Sequence, residues 1–248
     1  MSYSERLLEH GNFLSRLAHK NRYRRALDLV DDLRGAMAID FGCGDAMILR
    51  RAYDRGIVRG GYGVDNDPVM RDSAAATFAG IDGFRFVDPA ALTQTVAPGS
   101  CDLAICTETL EHIANPTEIL DAICRYCRPG AHVLITVPIE VGPSLVGKQV
   151  GRYFAGLRRP YGYERYRPGE LFSAAVLWNV RAFDSSHTHP DPTRMTGHKG
   201  FDFRKLERDV SSRMDIERTV FSPFPPLGAL LNSTVMWRCR TRAGTPAV

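Results

Sequence analysis

Apolar positions along the chain alternate between two periods, and the changes of period mark its elements. Leu7, Leu8, Leu14 and Leu17, then Leu27, Val30 and Leu33, recur at helical spacing and predict one or two amphipathic helices over residues 4–33. Ala36 to Phe41 (AMAIDF) is a short apolar run that stops at Gly42-Cys43-Gly44-Asp45 and gives way to a helical pattern from Ala46 to Tyr53. Gly60 to Val64 is a second strand ending at Asp65, followed by an alanine-rich helix to about Phe78; Phe84 to Val87 is a third, running into Asp88. Cys101 to Thr107 (CDLAICT) is a fourth, expected to pass directly into a helix through Glu108, Glu111 and His112. Thr117 to Tyr126 predicts a helix with Ile119, Leu120, Ile123 and Cys127 inward, Arg128-Pro129-Gly130 a turn, and His132 to Val137 a fifth strand. Beyond Glu140 the period is lost apart from Ser144 to Leu157, which has helical spacing at Leu145, Val150 and Phe154. It returns with an amphipathic helix over Phe201 to Arg213 and two closing strands, Ile216 to Phe221 and Thr234 to Arg240, antiparallel at the sheet edge.

Strands alternating with helices predict an α/β fold, a sheet flanked by helices on both faces. The 248 residues, 44% hydrophobic, suffice for one domain with a full core. We expect four regions in it: an N-terminal helical region (1–34), a core with the glycine turn (35–139), an insertion (140–199) and a closing helix with the last two strands (200–242).

Charge alters this picture little. Thirty-two basic and 28 acidic residues leave a net +4, too mild an excess to indicate a polyanion partner. Basic residues cluster at His19–Arg25 and Arg152–Arg167, the second interleaved with Tyr153, Tyr161, Tyr163 and Tyr166 as though lining an acceptor channel. The six cysteines lie mostly inside apolar patterns, where a free thiol behaves as a small hydrophobe, and suit a reducing compartment. Cys124 and Cys127 form a C-x-x-C without a second pair at zinc-ribbon spacing and read as one helix face. With no signal-like apolar stretch and no run of membrane-spanning length, the expected location is the cytoplasm.

The candidate chemistry sits where the strands end. A glycine turn between a strand and a helix lets backbone approach a ligand at the helix amino end. The third glycine of the dinucleotide fingerprint is missing, Met47 or Ile48 standing there, which favours a cofactor without a pyrophosphate. Asp65, about twenty residues past the turn, is placed to accept hydrogen bonds from ribose hydroxyls, and Asp88 forms a second acidic tip suited to an adenine amino group; helix capping is the alternative role for both. On a helix, Glu108, Glu111 and His112, spaced i, i+3, i+4, would share one face and could hold a divalent cation.

The motifs AIDFGCGDA, GVDNDP, FVDPAAL, CDLAICTETLEHI and CRPGAHVLITVP, in that order from about residue 36 to 138, resemble those of class I S-adenosylmethionine-dependent methyltransferases. The resemblance implies a Rossmann-like seven-stranded sheet of mixed direction flanked by helices, with an acceptor-shaping segment after the fifth strand. It implies that Asp40, Gly42 and Gly44 approach the methionine portion of S-adenosyl-L-methionine, that Asp65, with Asn66 beside it, binds the ribose, that Asp88 lies near the adenine, and that Thr107 lies beside the sulfonium. E-x-x-E-H after the fourth strand further resembles two metal-using subgroups, the quinone-biosynthesis O-methyltransferases and the small-RNA 3′-terminal 2′-O-methyltransferases. In the RNA group a later H-x-F-[ED]-[FW] segment completes the metal site; Gly197 to Phe203 (GHKGFDF) has that form with one residue inserted, making His198 the candidate fourth ligand beside Glu108, Glu111 and His112. His187 and His189 compete for that role. Without a metal, His112 remains a candidate general base.

The leading expectation is an O-methyltransferase assisted by Mg²⁺ or another divalent cation, acting on a small polyhydroxylated acceptor such as a sugar or glycoside. Alternatives are methylation of an RNA 3′-terminal ribose, and a non-catalytic cofactor-binding scaffold that activates a partner subunit. A homodimer is a further expectation.

Overall fold

The computed structural model describes residues 22–156, 166–180 and 197–242. The amphipathic pattern before residue 22, much of the arginine and tyrosine cluster, and His187 and His189 lie outside the described residues.

The apolar runs become seven strands: β1 (Ala36–Phe41), β2 (Val58–Val64), β3 (Phe84–Val87), β4 (Cys101–Thr107), β5 (Cys127–Pro138), β6 (Met214–Ser222) and β7 (Thr234–Thr241). They form one sheet ordered β3-β2-β1-β4-β5-β7-β6. The first five are parallel, while β7 runs antiparallel to both β5 and β6. The order reverses between β1 and β4, so the carboxyl ends of these two strands open a crevice of the kind in which open α/β sheets bind ligands.

Both faces of the sheet are covered, and β4 shows how the sequence achieves this. Leu103 and Ile105 join one core cluster with Leu27, Leu49 and Ile57, while Ala104 and Cys106 join the other with Leu120, Ile123 and Trp237. From Leu103 to Cys106 every residue is apolar and buried, so period-two alternation there leaves neither face for water. On the first side lie α1 (residues 22–28), α2 (Met47–Asp54) and α3 (Pro68–Thr77); on the second lie α4 (Pro116–Tyr126) and α7 (Phe203–Arg213). Asp67 caps α3 by accepting from Val69 N at 2.8 Å, with Pro68 at its first position, and Asp202 caps α7 by accepting from Arg204 N at 3.0 Å. The insertion contributes α5 (Ser144–Gly156) and α6 (Pro168–Ala175), packed on each other.

Several expectations need correction. No helix begins at Glu108: its backbone N donates to Thr136 O at 2.8 Å, continuing the ladder between β4 and β5, and its φ of 53° breaks any helical run. A single 3₁₀ turn, Leu110–His112, follows instead. Arg128-Pro129-Gly130 is not a turn ahead of β5 but part of it. Cys127 already pairs with Cys101, pairing with β4 resumes at His132, and the residues between form a bulge in which Gly130 has φ 75°. Cys124 and Cys127 therefore do not share a helix face. The helix after the glycine turn starts at Met47, because Ala46 is left-handed at φ 57°.

Candidate functional site

The glycine turn is tied to its neighbours by backbone. Gly42 N and Cys43 N both donate to Val64 O, at 2.8 and 3.1 Å, fastening the end of β1 to the end of β2. Gly42 has φ 69°, and a Cβ there would collide with the Thr109 side chain, so glycine is required twice over. Thr109 Oγ1 lies within donating distance of Phe41 O (3.3 Å) and Thr107 O (3.1 Å), bridging the carboxyl ends of β1 and β4; Thr107 is half-buried at this junction.

Asp65 holds the turn from the other side. Its Oδ2 accepts from Gly44 N and its Oδ1 from Asp67 N, each at 2.9 Å. A carboxylate offers about four acceptor directions, so about two remain beyond these bonds. Asn66 lies between Asp65 and the Asp67 cap. Asp88 accepts from Ala90 N at 2.9 Å, capping the next 3₁₀ turn, and pairs with Arg71 at 3.1 Å, whose guanidinium also donates to Asp65 O at 2.7 Å. Arg71 thus links the two acidic tips, a role the sequence reading missed.

Asp40 is buried with both carboxylate oxygens lacking a hydrogen-bond partner. Burial, and secondarily Asp65, push its pKa well above the usual carboxylate range. A buried orphan carboxylate beside a backbone cradle fits a ligand bearing positive charge, as the aminoacyl sulfonium cofactor does. In the unliganded protein Asp40 is a liability. With the folded-state pKa raised, the unfolded chain ionises first, so stability falls as pH climbs above about 4 toward that raised value. Asp40→Asn is therefore expected to stabilise the unliganded protein at pH 7 by about 1–3 kcal/mol and to flatten this pH dependence. Thermal melts across pH 4–8 check it; an unchanged or lower melting temperature at pH 7 contradicts it.

At the carboxyl ends of β4 and β5 the second group gathers. Glu111 is fully buried, again with neither oxygen hydrogen-bonded. Its pKa is driven well up by burial, then by Glu108 and Glu140, against an opposing contribution from Arg22. His112 Nε2 lies 3.9 Å from Glu111 Oε1 and 3.2 Å from His198 Nε2. One ligand-type atom from each of Glu111, His112 and His198 lies within 4.8 Å of the other two. Burial, and then His198, lower the His112 pKa and hold the ring neutral at pH 7. Glu108 does not join this trio: its Oε2 pairs with Arg22 at 2.7 Å and its Oε1 accepts from Thr136 Oγ1 at 3.1 Å.

His198 arrives on a turn closed by Phe201 N donating to His198 O at 3.2 Å. Next to it, buried Lys199 pairs with Glu170 of α6 at 2.8 Å, anchoring the turn to the insertion. Buried Glu140 lies 3.8 Å from His198 Nδ1 and pairs with Lys148 of α5 at 3.1 Å; Lys148 also donates to Ile139 O at 2.7 Å. Sequence reasoning missed Glu140, Lys148 and Arg22. The one available signal was a carboxylate just past the apolar run of β5, the same strand-end position that drew attention to Thr107. His132 is buried inside β5, its Nδ1 3.8 Å from Glu217 and away from these ends, as suits a structural residue.

This sheet order, with its glycine turn and acidic tips at the parallel carboxyl ends, defines a class I S-adenosylmethionine-dependent methyltransferase. A family model described as a methyltransferase domain matches residues 13–191, most of the chain, and the chain belongs to that family. Its cofactor is S-adenosyl-L-methionine. Among curated relatives, it is 26% identical over 160 residues to a ubiquinone biosynthesis O-methyltransferase of Dechloromonas aromatica (strain RCB), covering 62% of this chain and 68% of that one. To an uncharacterized methyltransferase of Mycobacterium bovis (strain BCG / Pasteur 1173P2) it is 27% identical over 133 residues, covering 53% and 51%. The chain thus spans from about half to two thirds of the length of such relatives. Among solved structures, the N-methyltransferase NodS of Bradyrhizobium japonicum WM9, in complex with S-adenosyl-L-homocysteine, shares the fold at TM-score 0.57 and 12% identity, covering 96% of each chain. A SAM-dependent methyltransferase of Aquifex aeolicus shares it at TM-score 0.54 and 11% identity, covering 88% and 89%. No helix among the described residues is long and apolar enough to cross a membrane.

Proposed function

We propose that the protein is a metal-assisted O-methyltransferase whose acceptor is a small molecule with two neighbouring hydroxyls, such as a sugar, glycoside or catechol. The observation that carries this reading is the convergence of Glu111, His112 and His198 beside the cofactor crevice. A buried carboxylate without hydrogen bonds next to two imidazoles suits a divalent cation, because the cation offsets the charge that burial otherwise disfavours. Such a cation would supply Lewis-acid polarisation of an acceptor hydroxyl.

The remaining work falls to the chain's own residues. Asp65 holds the ribose hydroxyls with the acceptor directions left free by Gly44 and Asp67, Asn66 and Asp88 border the nucleoside, and Asp40 faces the positive charge of the aminoacyl portion. Gly42, Gly44 and Thr107 shape the space in which the methyl group meets the acceptor oxygen. His112, neutral at pH 7, has a lone pair for the cation or for the hydroxyl proton. Glu108, paired with Arg22, contributes negative charge at the rim and becomes a ligand if that pair opens. The curated relatives named as ubiquinone biosynthesis O-methyltransferases support oxygen as the atom methylated.

EDTA is expected to abolish methyl transfer to a catechol or sugar-diol acceptor, and Mg²⁺ or Mn²⁺ to restore it, with S-adenosylhomocysteine affinity unchanged by calorimetry. Full activity in EDTA would leave His112 as a base without a metal. The His198 segment equally suits an RNA 3′-terminal ribose. Methyl transfer to short RNA, with an affinity that collapses steeply as salt rises, would favour that acceptor instead.

A further inference from the structure

The two nitrogens of His198 meet different surroundings, and the trio uses only one of them. Nε2 lies 3.2 Å from His112 Nε2. Nδ1 is buried, has no hydrogen-bond partner among the described residues, and stands 3.8 Å from Glu140 Oε1. That separation is about 1 Å beyond hydrogen-bonding reach. Glu140 is itself fully buried, and the same Oε1 meets Lys148 Nζ at 3.1 Å. It is not among the residues whose ligand atoms close within 4.8 Å of one another, which are Glu111, His112 and His198. A carboxylate beside the remote nitrogen of an imidazole, outside the ligand set, is placed to orient the ring rather than to coordinate.

Both partners are held in position. Ile139 N donates to Ser233 O and Gly142 N to Ala174 O, each at 2.9 Å, which fixes the backbone on either side of Glu140. Gly142 has φ 85°, and a Cβ there would collide with the Trp178 ring just past α6, so this stretch is clamped against the insertion. Lys148 donates to Ile139 O as well as to the carboxylate, tying α5 to the end of β5. On the other side, the Lys199–Glu170 pair fastens the His198 turn to α6.

The ring protons connect this arrangement to the site. A hydrogen bond between the two Nε2 atoms needs a proton on one of them, whereas ligation of a cation uses the lone pair of both. In the loaded site each neutral ring therefore carries its proton on Nδ1. For His198 that is the nitrogen beside Glu140. We propose that Glu140 is a positioning residue: it accepts the Nδ1 proton of His198 in the cation-loaded protein, which leaves Nε2 as a lone pair for the ion, while Lys148 keeps the carboxylate in place. The inference rests on the metal reading of the trio. Whichever ring carries the Nε2 hydrogen loses it there and regains one on Nδ1 through water, so no proton is gained or lost overall. Ligating imidazoles generally donate their other N–H in this way, which fixes the tautomer and the ring's direction. Because the charges of Glu140 and Lys148 cancel, the pair supplies orientation rather than attraction for the cation.

Calorimetric titration of the full chain with Mn²⁺, and imidazole ¹H–¹⁵N spectra of the Zn²⁺-loaded protein, test the proposal. The double variant Glu140→Leu/Lys148→Met removes the pair together, so net charge is unchanged and no buried ion is stranded. It is expected to bind Mn²⁺ about 10–100-fold more weakly than wild type. Glu140→Gln keeps an oxygen acceptor without the charge, folds with the least disturbance, and should fall between the two. Affinity for S-adenosylhomocysteine should stay within about threefold in both. The spectra give a readout that a packing defect would not move. In wild type the His198 ring, assigned by its absence in His198→Ala, should carry its hydrogen on Nδ1, and in both variants that hydrogen should exchange with water faster. Mn²⁺ affinities within threefold of wild type in both variants overturn the proposal and leave the trio standing, as does a loaded wild type with the His198 hydrogen on Nε2. Loss of Mn²⁺ binding in Glu140→Gln as complete as in Glu111→Gln would make Glu140 a ligand and equally overturn it. A wild-type chain that binds no Mn²⁺ overturns the metal reading itself, and this inference with it.

Discussion

Replacing Asp65 by alanine is expected to lower affinity for S-adenosylhomocysteine by about 10²–10⁴-fold while leaving the protein folded. The carboxylate has two tasks in one position. It accepts from Gly44 N and Asp67 N, which organises the glycine turn, and on the proposed reading its remaining acceptor directions serve the ribose. A hydrogen bond to a charged group contributes about 1.5–3 kcal/mol, and losing two of them at the ligand corresponds to that range of affinities. Loss of the turn's organisation adds to it. Folding should survive, because the turn is also held by Gly42 N and Cys43 N donating to Val64 O and by the core beneath. Asp65→Asn keeps one acceptor oxygen and should fall between the two. Calorimetric titration of each variant distinguishes them, and an alanine variant within threefold of wild type would remove Asp65 from the cofactor site.

The position of Asp65 was readable in advance because local chemistry and global topology agree there: an apolar strand stops at a carboxylate and Asp67-Pro68 starts a helix. The glycine turn, Asp88 and both closing strands were legible for the same reason. Where the two levels disagree, long-range pairing prevails. Arg128-Pro129-Gly130 has turn composition and no ladder partner, yet it lies inside β5 as a bulge between the Cys127–Cys101 and His132–Leu103 pairs, tied to β7 by Thr241 Oγ1 donating to Arg128 O at 2.7 Å and by Arg240 donating to Gly130 O at 3.0 Å. Glu108, Glu111 and His112 have helical spacing, but the Glu108 amide is committed to Thr136, so a left-handed bend at Glu108 and one 3₁₀ turn replace the helix. The consequence is chemical. On a helix Glu108 would share a face with the other two, whereas here Arg22, 86 positions away, takes its carboxylate and His198 takes the third place in the trio. Such partnerships across the chain leave no local trace, and for Glu140 the strand-end position was the one signal available.

That rearrangement gives Glu111→Gln a pair of effects of opposite sign. In the unliganded protein the Glu111 carboxylate is buried, without hydrogen bonds, and near Glu108 and Glu140, so its ionised form is disfavoured. Removing the charge should raise the unliganded melting temperature at neutral pH by a few degrees, about 2–4 °C for each kcal/mol recovered in a chain of this size. The same change removes the only negative charge of the trio, so divalent-cation binding should be lost. On the proposed reading, wild type at about 100-fold excess of cation over its dissociation constant should gain about 2.7 kcal/mol; Glu111→Gln should show no cation-dependent rise, and methyl transfer should fall by orders of magnitude. His198→Ala should share the loss of cation response and turnover without raising the unliganded melting temperature, because the Lys148–Glu140 pair behind it is intact. Neither variant touches the glycine turn or Asp65, so S-adenosylhomocysteine affinity should hold within a factor of about three. A cation-dependent rise that survives in Glu111→Gln would place the cation elsewhere, and turnover that survives in both variants would return the chemistry to His112 acting alone as a base.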